Sequence, residues 1–243
     1  MSDAQHGPMR ELVSGLVWIH DYPVRYGGMN LEARTTLVRL ASGELWVHSP
    51  GPIDAAVRVQ VDRIGQVAHV VAPGTFHHLH VAAWARAYPE ARVWLCPGLR
   101  DKRPQLPEGQ KLSDEAPAAW RDEFDQVVVR GNRVICEVMF CHRPSRTLIV
   151  TDAIELYGDR TDSVPWLLKL WWRIFRMWNR PAPAPEYAMG WRDRQAARRS
   201  FETALGWDFE RIVLSHGDLI EQDAHAQATR AWQPLLGGPH SAA

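Results

Sequence analysis

The sequence predicts an α/β protein, on three observations. Strand-like and helix-like segments alternate in order, and this loose β-then-α pattern occurs twice along the 243 residues. Several short apolar runs are near-continuous, as strands covered on both faces require. Polar residues able to bind metals follow directly after four of those runs, where an α/β fold places its chemistry.

The elements follow in chain order. Leu12 to His20 reads as a strand ending before Asp21-Tyr22-Pro23. Arg34 to Leu40 alternates and is rich in β-branched residues. The turn Ala41-Ser42-Gly43 leads it back into Glu44 to His48, which predicts an antiparallel hairpin. Ser49-Pro50-Gly51-Pro52 breaks the chain. Ile53 to Ile64 has helical spacing, with Ile53, Val57, Val61 and Ile64 on one side. Val67 to Ala72 is a buried strand, His78 to Tyr88 a helix stopped by Pro89, and Ala91 to Cys96 a strand closed by Pro97-Gly98. That order predicts a βαβ crossover.

Arg100 to Pro117 is charged and interrupted by proline, which predicts a surface excursion. Strands resume at Asp125 to Val129, Val134 to Phe140 and Arg146 to Thr151, with Gly131-Asn132 as a hairpin turn between the first two. Helices are expected over Val164 to Trp178 and Trp191 to Leu205, separated by a stiff linker, Pro181 to Pro185. Arg211 to Leu214 is the last strand. It runs into Ser215-His216-Gly217-Asp218 and a terminal helix.

Composition narrows the function classes. The chain holds 46% apolar and 23% charged residues, and 28 basic side chains balance 28 acidic ones. With no long basic run, no nucleic-acid partner is expected. Cys96, Cys136 and Cys141 are odd in number and form no CxxC pair, against a disulfide framework or zinc ribbon. The polar start, Met1 to Arg10, has no apolar core of a signal peptide, and no long apolar span follows, so a cytoplasmic protein is expected. Residues 1–243 are read as a single domain, with a Trp-rich helical insertion at about 161–190.

The residues able to carry chemistry fall in four places: His77, His78 and His80; Cys141-His142; Thr151-Asp152; and Ser215-His216-Gly217-Asp218. Dispersed ligands of this kind converge only if their strands lie side by side. Imidazoles with a carboxylate hold zinc first, with iron or manganese as alternatives. Such a metal serves water activation. Each residue also has a plain reading. The histidine loop can be a hydrogen-bonded cluster, Asp152 a cap, His216 part of a turn, and His142 a loop residue before Pro144. Cys136 and Cys141 read as buried strand residues. The chain has no G-x-S-x-G elbow, Walker loop or dinucleotide-binding glycine motif.

Four features in this order resemble the metallo-β-lactamase fold superfamily, over roughly Leu12 to Gln233. They are the hairpin Arg34 to His48, the loop Pro73 to His80, the strand Thr147 to Asp152 and the strand Ile212 to Gly217. The double-His loop followed by Trp84, Tyr88-Pro89-Glu90-Ala91 and Cys96-Pro97-Gly98 is similar to a branch of that superfamily that is a domain of unknown function. The resemblance implies an αβ/βα four-layer sandwich. It matches Asp152 to the bridging aspartate, His216 to the last histidine and His142 to the middle one. The superfamily's His-x-His-x-Asp-His loop is degenerate here. In one register Phe76 and His78 take the first two positions, with His80 and Val81 in the last two. In another, His78 and His80 take the first pair and Ala82 and Ala83 the last.

The expectation is therefore a metal-dependent hydrolase-like protein with an incomplete centre and an unknown small-molecule substrate. In it, His78, His80, Asp152 and His216 hold one divalent metal, and Asp152 also orients the water. The first alternative is a non-catalytic binding protein without metal. The second rests on Val164 to Asn179, with its Trp166, Trp171, Trp172 and Trp178. On a helical wheel Lys169, Arg173, Arg176 and Asn179 share one side, and Trp166, Leu167, Leu170, Trp171, Ile174, Met177 and Trp178 the other. This helix either packs over the sheet, lids a pocket, contacts a second copy, or lies on a membrane surface. It is too short and charged to span a bilayer.

Overall fold

The computed structural model describes residues 7–26, 29–159, 161, 164, 166–174 and 177–237. Two sheets form its centre. The first runs in sequence order: β1 (Arg10–Val13), β2 (Val17–Tyr26), β3 (Met29–Arg39), β4 (Leu45–His48), β5 (Val67–Ala72), β6 (Arg92–Leu95) and β7 (Gln110–Lys111). Its first four strands are antiparallel, and β4 to β7 are parallel. The second sheet has the order β11 (Arg211–Leu214), β10 (Thr147–Val150), β9 (Glu137–His142), β8 (Phe124–Val129), with only β10 and β11 parallel.

Side-chain alternation stacks these layers. Val138 and Phe140 of β9 point into the core shared with the first sheet, beside Trp46, Leu37 and Val71. Met139 and Cys141, alternating with them in sequence, point to the opposite face. There they meet Ala197, Phe201 and Ala204 of α6 (Arg194–Leu205) and Ala228 and Trp232 of α7 (Ala224–Leu236). Such a two-residue period is what a strand between two apolar layers produces. On the first sheet, α1 (Ala55–Ile64) and α2 (Val81–Ala87) bury Val57, Val61, Val81 and Trp84. Burying side chains of this size contributes roughly 1.5–3 kcal/mol each. The architecture is an α/β sandwich of four layers.

Local readings meet this structure unevenly. The hairpin of β3 and β4 and the parallel crossover β5–α2–β6 are present. The expected strand Leu12 to His20 is instead two strands, because Gly15 adopts φ +68° and reverses the chain between Val13 and Val17. The expected surface excursion after Arg100 holds α3 (Leu99–Lys102) and β7, and it buries Leu106 and Leu112. β8 and β9 pair, but a longer loop joins them, in which Asn132 Oδ1 accepts from the Val134 and Ile135 amides. The Pro181 to Pro185 linker is anchored by Ala184, whose amide donates to the Asp152 carbonyl at 2.8 Å, and α5 (Pro185–Gly190) starts at its end.

The Trp-rich segment corrects the wheel. α4 (Trp166–Ile174) buries Leu168 and Trp172, and Trp172 stacks on Tyr157 with ring centroids 3.8 Å apart. Of the side expected to face inward, Trp166 is 75% exposed and Ile174 66%, with Leu167 and Leu170 exposed beside them. Arg176 and the Trp171 side chain lie outside what the structure describes. No described helix is long and apolar enough to cross a membrane.

Candidate metal centre

Three side chains converge where strands end. His77 follows β5, Asp152 follows β10, and His216 follows β11. One ligand atom from each lies within 4.8 Å of the others, and this is the only such group of three or more among the described residues. The parallel pair β10–β11 delivers Asp152 and His216 to the same edge.

Each ligand is fixed by its own neighbourhood. The His77 loop is tied to the start of β9: Thr75 donates its amide to the Cys136 carbonyl at 2.9 Å, and Cys136 donates back to Thr75 Oγ1 at 2.9 Å. Asp152 is gripped from both sides by Glu137, whose buried carboxylate accepts the Thr151 amide at 2.5 Å, the Ala153 amide at 2.8 Å and the Tyr187 hydroxyl at 2.9 Å. Burial, with the nearby Asp152 charge, pushes the Glu137 carboxyl up to about 7. The His216 turn needs Gly217. Its φ is +84°, and a Cβ there would sit 2.0 Å from the Leu156 carbonyl oxygen. Arg34, buried on β3, donates to the Leu214 and Gly217 carbonyls at 2.8 and 3.1 Å and to Asp21 at 2.6 Å, bracing that turn from the other sheet.

The hydrogen bonds leave the donor atoms facing one another. His216 Nδ1 donates to the Glu32 carbonyl at 3.0 Å, so its neutral ring presents the Nε2 lone pair to Asp152 Oδ1, 3.8 Å away. His77 Nδ1 is held by Ser49 Oγ at 2.8 Å, and its Nε2 lies 3.1 Å from Asp152 Oδ1. Asp152 Oδ2 is buried with no hydrogen-bond partner. Burial opposes charge on His77, but the Asp152 carboxylate outweighs it and holds the imidazole above its usual range. Burial, then the His77 charge, pulls His216 down to about 4. The Asp152 carboxyl is pushed up by burial and drawn below its usual range by His77. Two imidazole nitrogens close to Asp152 Oδ1, with the second carboxylate oxygen left without a partner, fit a cation. Two imidazoles, each with an outer hydrogen-bond partner, and a carboxylate suit zinc, iron or manganese.

The other sequence candidates lie elsewhere. It is His77, not His78 or His80, that meets Asp152 and His216, although both loop registers gave His77 no ligand position. The chain turns tightly over residues 77–80 before α2 begins at Val81, which turns these side chains apart. His78 Nε2 accepts from Arg103 at 3.3 Å. His80 caps α2 by position, with its ring edge-on to Tyr22 at 6.0 Å. His142 ends β9, which runs antiparallel to β10. It pairs with Thr147 at the start of β10, while Asp152 follows its end. There it contacts Ser145 Oγ at 2.7 Å and lies 3.8 Å from Glu123. Cys141 is buried and Cys136 half-buried.

Ser49, Glu137 and Glu155 were not singled out from sequence. Glu137 carried a signal, as the one acid inside the apolar run Val134 to Phe140. Beside the cluster lies a cavity of about 160 Å³, with His77, Asp152 and His216 on its wall.

Comparison with known proteins places this geometry. The model of the family described as domain of unknown function DUF4336 matches residues 14–165, more than half the chain, including His77 and Asp152 but not His216. Among curated proteins no sequence matches. Among solved structures, the metallo-β-lactamase DIM-1 exposed to ceftazidime is similar with TM-score 0.66 at 10% identity, over 96% of this chain and 99% of that one. A metallo-β-lactamase from Pontibacter korlensis has TM-score 0.63 at 12% identity, over 96% and 100%. The metallo-β-lactamase FIM-1 from Pseudomonas aeruginosa, in a mono-zinc form, has TM-score 0.60 at 10% identity, over 95% and 96%. At such identities the likeness shows the fold: a metallo-β-lactamase-type αβ/βα sandwich.

Proposed function

This chain belongs to the DUF4336 family, and from that premise we propose that it is a metal-dependent hydrolase with one divalent ion held by His77, Asp152 and His216. The observation that carries the reading is the convergence of these three ligands, with both imidazoles closing on Asp152 Oδ1 and Oδ2 left without a partner. Zinc is the first candidate, with iron and manganese next for a two-histidine, one-carboxylate set. A bound divalent ion supplies Lewis acidity, which polarises an acyl or phosphoryl oxygen and acidifies water.

The chain's own residues supply the rest. Asp152 Oδ2 is the acceptor that orients an attacking water. Ser49 and the Glu32 carbonyl fix the His77 and His216 rings. Glu137 positions Asp152 through the amides on either side of it. The cavity walls keep bulk water from the reacting bond, an ester, thioester, amide or phosphoester. A single ion is favoured over two because the histidine loop gives one ligand rather than several.

Metal analysis of protein purified without added metal tests this, with about one ion per chain expected. Asp152→Ala and His216→Ala should each abolish retention. A content below ~0.2 per chain, with no gain on supplying zinc, iron or manganese, would sink the reading and favour a non-catalytic binding protein.

A second reading concerns α4. Trp166, Leu167, Leu170 and Ile174 face solvent, and Lys169 and Arg173 lie on the same helix. Exposed aromatic and aliphatic side chains beside cations suit the surface of an anionic bilayer. Wild-type protein should sediment with anionic vesicles, and Trp166→Ala with Ile174→Glu should not. A dimer that dissociates in the same variant, without vesicle binding, would assign the face to a second copy instead.

A further inference from the structure

We propose that the cavity beside the metal cluster selects apolar molecules carrying an ammonium-type cation, with Glu155 and Glu186 as the counter-charges. As a statement about substrate this rests on the hydrolase reading; as a statement about binding it stands alone.

Glu155 is the unusual group. It is 9% exposed, and it lines the cavity three residues after Asp152. Among the described residues no hydrogen bond reaches its carboxyl. Its backbone is fixed by a two-bond bridge to Ala182, 2.8 Å through its amide and 3.1 Å through its carbonyl, so the side chain's origin on the wall is set. Buried carboxylates are normally paired or hydrogen-bonded. Here the surrounding charges make matters worse: burial, then the charges of Asp152, Glu186 and Glu137, hold the Glu155 carboxyl well above the usual range. Glu186 lies on the same wall.

The remaining lining fits the same ligand. Tyr22, Phe76, Tyr157 and Trp172 present aromatic surface, and Tyr157 and Trp172 are stacked. Aromatic faces attract cations through their quadrupole, and do so best in a desolvated site. Arg25 is the one Arg or Lys among the lining residues, and it is exposed. In the metal-free cavity a ligand with a carboxylate would face Asp152, Glu155 and Glu186 against the exposed Arg25 and a His77 imidazole already paired with Asp152. A ligand with an ammonium group would meet Glu186, draw the Glu155 carboxyl towards its charged form, and gain the aromatic walls. Leu31 and Leu168 complete an apolar surface for its body.

The experiment uses three probes with a matched apolar body: 4-phenylbutylamine, 4-phenylbutanol and 4-phenylbutyrate. Probe binding to the metal-free full chain is read by tryptophan fluorescence and calorimetry after chelation, and metal retention is measured separately with zinc added. The amine should bind about tenfold more tightly than the alcohol, and the butyrate most weakly. Glu155→Gln should remove about that tenfold preference while leaving alcohol affinity unchanged, which also shows that the variant is folded. If Glu155→Gln loses the alcohol too, Glu186→Gln gives the same reading. Equal affinity for amine and alcohol, tighter binding of the butyrate, or an amine preference that survives both substitutions overturns the proposal. Amine binding without metal retention leaves the cation site standing and removes the hydrolase reading. Cleavage of neutral phenylbutyl esters with no amine preference does the reverse.

Discussion

The second sheet carries a buried histidine near a carboxylate at each of its two ends, and the two pairs behave differently. At one end His142 sits 3.8 Å from Glu123, with its other nitrogen on Ser145 Oγ, which in turn donates to Thr147. That short chain begins and ends within a few residues, and among the described residues no second metal-ligand group joins it. At the other end, His77 and His216 approach Asp152 from two different sheets, with ring centroids 5.1 Å apart. Asp152 keeps one oxygen without a partner there. A buried histidine beside an acid is therefore ordinary tertiary structure. Convergence of three ligand groups from strand ends, two of them imidazoles, is what sets a site apart.

Three substitutions bear on that contrast. Gly217→Ala should have the largest effect. The new Cβ meets the Leu156 carbonyl in a left-handed backbone, so the His216 turn must shift. Stability should fall by more than about 1 kcal/mol, and metal retention should fall with it, read by thermal denaturation and metal analysis. Full retention would mean that His216 is not a ligand. Ser49→Ala should be milder, because it removes only the outer partner of His77. Metal affinity should drop by ~10–100-fold with the fold intact, measured by competition with a chelator. An unchanged affinity would put the His77 ring's orientation down to packing alone.

The smallest effect at the site belongs to His142→Gln, which should leave metal affinity within about twofold, since the two ends share no partner. Its signature is in acid. Burial, then the Arg143 charge, pulls His142 down to about 4 from an unfolded value of 6.5. Between those pH values the unfolded chain binds more protons than the folded one. The stability this group contributes is thus complete above pH 6.5 and is lost as pH falls through 4. The variant should show a shallower loss of stability over that window in denaturant titrations. An unchanged slope would mean that His142 titrates normally in the folded protein.

Much of the fold was legible because strands and helices write their periods into the chain. Val67 to Ala72, with its Pro73-Gly74 stop, gave both the strand and the loop that holds His77. Asp152 and His216 could be marked because each follows a short apolar run. His142 follows one as well and could not be told apart, since strand direction leaves no trace in a single apolar segment. The orientation of α4 was left open for a related reason. A wheel shows which residues share a side, but Trp172 is buried because Tyr157 lies beneath it.

By itself, then, the sequence determined the alternation of elements, the loops that carry ligand-type residues, and the superfamily its order resembles. These follow from local chemistry: turn residues, periodicity and apolar runs. Only the tertiary structure decided which histidine of the loop at residues 77–80 joins Asp152, and that Arg34 of one sheet braces the turn holding His216 of the other. It alone placed Glu155 on the wall of an aromatic cavity, with no hydrogen bond to its carboxyl among the described residues. Those outcomes depend on strand direction and on contacts between residues 75 to 183 positions apart, which no local pattern records.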